Sequence, residues 1–148
     1  MTLSLSSKAF APGQSIPPKY SCVGRNLSPD LAWTGAPAAT KSFALIADDP
    51  DAPMGTWVHW IVFNIPAMTT GVPEAAQFSD GSVLGKNSSR HLGYDGPCPP
   101  SGTHRYFFKL YALDTMLTLS ASASKDQLLK AMQGHILAQG ELMGTFSK

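Results

Sequence analysis

Turn-forming residues break this chain so often that, over most of its length, only short extended segments have room to form. It holds 13 glycines and 12 prolines among 148 residues. That share lies above the roughly 12% usual for soluble proteins and below the roughly 25–30% that marks disorder. In the first forty residues Pro12-Gly13, Pro17-Pro18, Ser28-Pro29 and Gly35-Ala36-Pro37 punctuate apolar pieces such as 3–5 and 31–33. No long helix fits there, because proline removes a backbone donor and glycine gives up backbone entropy.

Three stretches carry a strand signal: residues 42–47 (SFALIA), 57–65 (WVHWIVFNI) and 105–113 (RYFFKLYAL). All are rich in β-branched or aromatic residues and are bounded by Pro, Gly or Asp. The second and third are apolar on both faces, which predicts central strands of a sheet covered on each side. A helical pattern begins only at Ser124. Ser124 and Gln127 have capping-box spacing, and Leu128, Met132 and Ile136 recur every four residues. Gly134, Gly140 and Gly144 interrupt the pattern toward the C-terminus, so one long helix and two short ones stay open. With no repeat, charged linker or low-complexity tract, the chain reads as one β-rich domain, 1–148, with a C-terminal helical appendage.

Eleven basic side chains against ten acidic ones give a formal charge of +1, and the longest like-charge run is Asp48-Asp49. This leaves no electrostatic footprint for nucleic acid or an anionic membrane. Residues 1–8 (MTLSLSSK) lack the pattern of a secretory signal, and no apolar run approaches the ~20 residues of a transmembrane helix. A cytoplasmic location is the resulting expectation. Cys22 and Cys98 show no metal-ligand or CxxC spacing, so in a reducing compartment they read as free thiols. Paired, they would close a long loop that adds on the order of 4 kcal/mol.

Side chains alternate faces along a strand, so Trp57 and His59 point together, as do His104 and Tyr106. If their strands are neighbours, two imidazoles and two aromatics converge on one patch. The preceding segments, 48–53 (DDPDAP) and 96–102 (GPCPPSG), are stiffened by proline and permit close backbone approach at glycine. Protonated imidazoles and free amides in such a cup are donors, which predicts a small phosphate-like anion as guest. Each part also has a plainer role. A strand histidine ordinarily finds a structural partner, and Asp49 and Asp51 between prolines can cap turns through Asx hydrogen bonds. Trp57, Trp60 and Phe107 read first as core. His91 and His135 have no evident companion.

The segments DDPDAPMGTWVHWIVFNIP (residues 48–66) and GYDGPCPPSGTHRYFFKLYALD (residues 93–114) resemble the two signature regions of the phosphatidylethanolamine-binding protein family, in the form of its bacterial Raf-kinase-inhibitor-like branch. The likeness extends to Ser28-Pro29 with Leu31 and Trp33, to residues 37–47 and to residues 135–142, and so covers nearly the whole chain. It implies a mainly β fold, a Greek-key β-sandwich with short peripheral and C-terminal helices, and cis peptide bonds before prolines of the first signature. It also implies a pocket at Asp49, Pro53, Trp57, His59, Gly96, Cys98 (through its amide), Pro99, His104 and Tyr106. Its guest would be a small phosphate-like anion: a phospholipid head group, a phospho-metabolite or a phospho-side chain. The implied protein is a non-enzymatic binding or regulatory one, with a kinase or protease as protein partner, no cofactor and no metal. The bacterial branch carries an expectation of homodimerisation that no heptad or apolar stripe argues independently. The long helix over the pocket of mammalian relatives has no clear counterpart here, which detaches their partner specificity from this chain.

Two enzymatic alternatives use the same groups. A metal hydrolase would take Asp49, Asp51, His59 and His104 as ligands, but the chain has no HExxH pair. A nucleophilic hydrolase would pair Cys98 or Ser101 with His104, but no G-x-S-x-G elbow occurs. A purely protein-facing module with an idle pocket is the third class.

Overall fold

The computed structural model describes residues 2–148. In chain order its elements are β1 (Ser4–Ser6), a 3-10 turn (Pro18–Tyr20), β2 (Leu31–Thr34), β3 (Ser42–Asp49), β4 (Trp57–Pro66), β5 (Gly71–Val72), β6 (Val83–Leu84), β7 (Thr103–Leu113), α1 (Lys125–Met132) and β8 (Ile136–Ser147). The three strand stretches foreseen from sequence are β3, β4 and β7. Neighbouring strands pair antiparallel throughout: β1-β2-β5 form a three-stranded sheet and β6-β4-β3-β7-β8 a five-stranded one.

The large sheet is covered on both faces, as the doubly apolar strands require. All eight residues of β3 are buried, and they divide by parity. Phe43, Leu45 and Ala47 join Trp33, Leu31, Trp60, Phe108 and Leu110 in the core between the sheets. Ala44 and Ile46 join Ile61 and Phe63 in a second core, closed by Leu128 and Met132 of α1. Helix α1 starts with the foreseen capping box, in which Ser124 Oγ accepts from the Gln127 amide and the Gln127 side chain accepts from the Ser124 amide. Lys125 anchors it to the sheet through buried Asp48, at 2.9 Å.

Two expectations are corrected here. Helix does not continue beyond α1; the last stretch is the twelve-residue strand β8. The four-residue spacing misled because Ile136 is exposed, whereas Ala138, Leu142, Gly144 and Phe146 alternate inward at period two. The glycines that weaken a helix are what this strand needs. A Cβ on Gly140 would lie 2.2 Å from the Leu3 carbonyl oxygen, and one on Gly144 would lie 2.7 Å from Ile16 and Phe10. Second, the implied cis peptide bonds are not found: every peptide bond among the described residues is trans. No helix among these residues is long and apolar enough to cross a membrane.

Candidate functional site

The large sheet presents its inter-sheet face to the pocket at one end, where β3 finishes and β7 begins. Parity along β3 carries Asp49 to the same face as Ala47, and parity along β7 puts His104 and Tyr106 with Phe108. Strand β4 reaches that face by a different device. Ala47 pairs with Trp60 but Asp48 pairs with Val58, so His59 is the extra residue of a β-bulge. The bulge shifts the alternation by one, letting Trp57 and His59 share a face with Trp60 and Val62.

The strands β4 and β7 are not neighbours, so the condition raised from sequence is not met; β3 runs between them. The groups still converge because Tyr106 spans the gap. Its ring centroid lies 5.3 Å from that of His59, edge-on, and 6.4 Å from that of His104, stacked. The recess around them has a volume of about 350 Å³. All nine residues singled out from sequence line it: Asp49, Pro53, Trp57, His59 and Gly96, and with them Cys98, Pro99, His104 and Tyr106. Trp57 stands at the mouth, 40% exposed, while His59, His104, Asp49 and Tyr106 are buried.

The polar wiring fixes what each ring offers a guest. His104 Nδ1 lies 2.7 Å from Asp49 Oδ2, and His59 Nδ1 lies 2.7 Å from the Asp95 carbonyl oxygen. A carboxylate and a carbonyl only accept, so each Nδ1 carries a proton and donates, leaving Nε2 as the free ring nitrogen. Asp95 grips His59 from both sides, since its amide also donates to the His59 carbonyl at 3.0 Å. Burial lowers the His59 pKa from its ordinary value; the Asp95 hydrogen bond and the charges of Asp49, Asp95 and Asp48 oppose this only in part. Burial and the nearby Asp49 and Asp51 raise that of Tyr106. The Tyr106 hydroxyl is buried and has no partner among the described residues.

The rim residues behave as the rigid-loop reading requires, and the plain reading of Asp49 and Asp51 also holds. Asp49 Oδ1 accepts the Asp51 amide at 2.7 Å, an Asx turn. Asp51 stands outside the recess and forks onto Arg105, at 2.9 Å to Nε and 2.8 Å to Nη2, which holds its carboxyl down at about 2. The amide of Cys98, flanked by Pro97 and Pro99, donates to no described residue. The Gly96 amide is spent on Asn26 Oδ1 at 2.8 Å, and a Cβ there would lie 2.1 Å from the Tyr20 carbonyl oxygen.

The free-thiol reading is corrected: Cys22 and Cys98 form a disulfide, with Cα atoms 5.4 Å apart across a sequence separation of 76. This removes the thiol argument for a reducing compartment and takes Cys98 away as a nucleophile. The bond accounts for part of what the sequence reading missed, because it brings Cys22 and Asn26 into the wall. A Cys22–Cys98 pairing was the signal that would have placed them. Asp95, Ala52, Ser89 and Pro100 complete the lining. The histidines left without companions have them: His91 lies 2.7 Å from Asp95, and His135 lies 2.8 Å from Asp114, both outside the recess. Among the described residues no three His, Cys, Asp or Glu side chains are grouped to hold a metal ion.

Comparison with known proteins agrees with this fold. The family model described as phosphatidylethanolamine-binding protein matches residues 6–147. A UPF0098 protein of Methanothermobacter thermautotrophicus is 53% identical over 150 residues, covering 99% of each chain. A UPF0098 protein of Chlamydia trachomatis is 45% identical over 151 residues, again with 99% of each covered. The crystal structure of a Chlamydia trachomatis homolog of phosphatidylethanolamine-binding proteins superposes with a TM-score of 0.95 at 45% identity, over 99% of this chain and 98% of that one. Escherichia coli YbcL, described as a member of the mammalian family, gives 0.92 at 32% identity over 100% and 99%.

Proposed function

The chain belongs to the phosphatidylethanolamine-binding protein family, and from that premise we propose that it is a non-enzymatic binding protein whose recess takes a phosphate-like anion. The guest is a phospho-metabolite, a phospholipid head group or a phosphorylated side chain, and the reading extends to a kinase or protease docked over the rim. One observation carries it. Four polar groups without a protein partner meet in one recess: Nε2 of His59, Nε2 of His104, the Tyr106 hydroxyl and the Cys98 amide. Three of these can donate to anion oxygens, His104 when protonated. The proline-bound rim and the Asn26, Asp95 and Asp51 contacts hold them in place without a guest, which lowers the ordering cost of binding.

The hydrolase reading lacks a comparable observation. Its cysteine nucleophile is bonded to Cys22, and its proposed ligand Asp51 is committed to Arg105. The test is an NMR titration with inorganic phosphate that follows the ring signals of His59 and His104. Both are expected to move together and saturate, and Tyr106→Phe is expected to weaken the binding by about tenfold. A titration that moves neither ring refutes the proposal.

A further inference from the structure

Resting on that reading, we propose that the recess selects a phosphate group bearing an acidic proton, that is inorganic phosphate or a phosphate monoester, over a phosphodiester or a sulfate. The reason is the count of donors and acceptors that the fold leaves facing the guest. The Asp95 carbonyl fixes the proton of His59 on Nδ1 at 2.7 Å, so the neutral ring turns a bare lone pair on Nε2 toward the recess. A guest must donate to that atom or leave a buried acceptor unpaired. The Cys98 amide asks the opposite, since it can only donate to an oxygen lone pair, and the Tyr106 hydroxyl can donate to one as well. A group with one P–OH beside several bare oxygens satisfies both demands at once.

The charge around the recess points the same way. Among the described residues neither lysine nor arginine lines it, while Asp49 and Asp95 do, the Asp95 carboxylate being turned to Asn87 and His91. His59 faces Asp49 from β3, Asp95 from the loop before β7, and His104 and Tyr106 from β7 itself, while Asp48 acts on it by charge from the other face of the sheet. Arg105, the closest strand-borne cation in sequence, is forked onto Asp51. Positive charge can therefore enter only as protons on imidazoles, and burial resists that at His59. Hydrogenphosphate brings a proton along at neutrality and can share it with His59 Nε2, and a phosphate monoester, whose second pKa lies at about 6, does so in the roughly one part in ten that is still monoprotonated at about pH 7. A diester or a sulfate has no such proton near neutrality. Neither can bind without first protonating His59 from solvent.

The experiment is calorimetric titration of the intact oxidised protein at about pH 7 with inorganic phosphate, methyl phosphate, dimethyl phosphate and sulfate. Hydrogenphosphate and sulfate share shape and charge, so their ratio isolates the proton. Inorganic phosphate is expected to bind at least about tenfold more tightly than sulfate and dimethyl phosphate, with methyl phosphate between them because only about a tenth of it is monoprotonated at that pH. The gap is expected to narrow at about pH 5, where His59 becomes a donor, and to close in His59→Gln, whose amide offers a donor to any oxyanion. Equal affinities for all four at about pH 7, a preference for the diester, or a gap that survives in His59→Gln overturns the inference. Binding of none of the four overturns the anion reading beneath it, a different result from loss of selectivity.

Discussion

Opening the Cys22–Cys98 bond tests how the recess is tied to the stability of the whole domain. The two half-cystines are 76 residues apart. In the chain-entropy account, releasing a loop of that length frees the unfolded chain by about 4–5 kcal/mol. The folded chain loses little, because three other links hold the same loops together. The Cys22 amide donates to the Pro97 carbonyl at 3.1 Å, the Gly96 amide to Asn26 at 2.8 Å, and the Tyr94 hydroxyl to the Tyr20 carbonyl at 2.7 Å. At about 2–4 °C per kcal/mol for a domain of this size, Cys22→Ser/Cys98→Ser is expected to melt about 9–18 °C lower than the oxidised protein. Its dependence of stability on urea should also steepen, since an uncrosslinked chain exposes more surface on unfolding. Calorimetry on the oxidised protein and the double variant, with urea titrations beside it, provides the measurement. A melting point within about 2 °C of the parent, or two titratable thiols in protein purified without reductant, refutes the reasoning.

Acid should weaken the fold through His59. Its folded pKa lies below the unfolded value of about 6.5, so the unfolded chain binds the proton more readily. That contribution is complete above about pH 6.5 and is lost as pH falls toward the depressed value. The melting temperature is expected to drop between about pH 7 and pH 5 by more in the parent than in His59→Gln; equal drops count against it. Gly96→Ala pushes a methyl group to within 2.1 Å of the Tyr20 carbonyl oxygen, and forcing these loops apart is expected to cost about 1–3 kcal/mol. An unchanged urea midpoint would show that the two loops part freely.

Much of this site was legible because strand chemistry and turn chemistry are local. The stretches β3, β4 and β7 declared themselves by β-branched and aromatic runs between prolines and aspartates. The pairing of Trp57 with His59 and of His104 with Tyr106 needed only the two-residue repeat. What stayed hidden was non-local. Nothing in residues 57–65 announces that β3 lies between β4 and β7, or that His59 is an inserted residue in the ladder. Gly140 and Gly144 looked like defects in a helix because their purpose, the close approach of Leu3, Ile16 and Phe10, is set by residues more than a hundred positions away. The disulfide was hidden for a similar reason: two cysteines without a motif say nothing about distance.

The bulge at His59 joins two alternation frames of β4 at a single step, and a second register shift, between Val62 and Ile65, changes the frame again. Upstream of His59, odd-numbered side chains look into the recess; just beyond it the even-numbered Trp60 and Val62 fill the core, and past the second shift Ile65 does. Deleting that one residue would leave a regular ladder at that step, with Val58 still opposite Asp48 and Trp57 still opposite Asp49 on the recess face, yet no imidazole would remain on that strand. Hydrophobic assembly and ligand recognition are thus encoded in the same ten-residue segment but in separate phases, so that a change of length can erase the second while sparing the first.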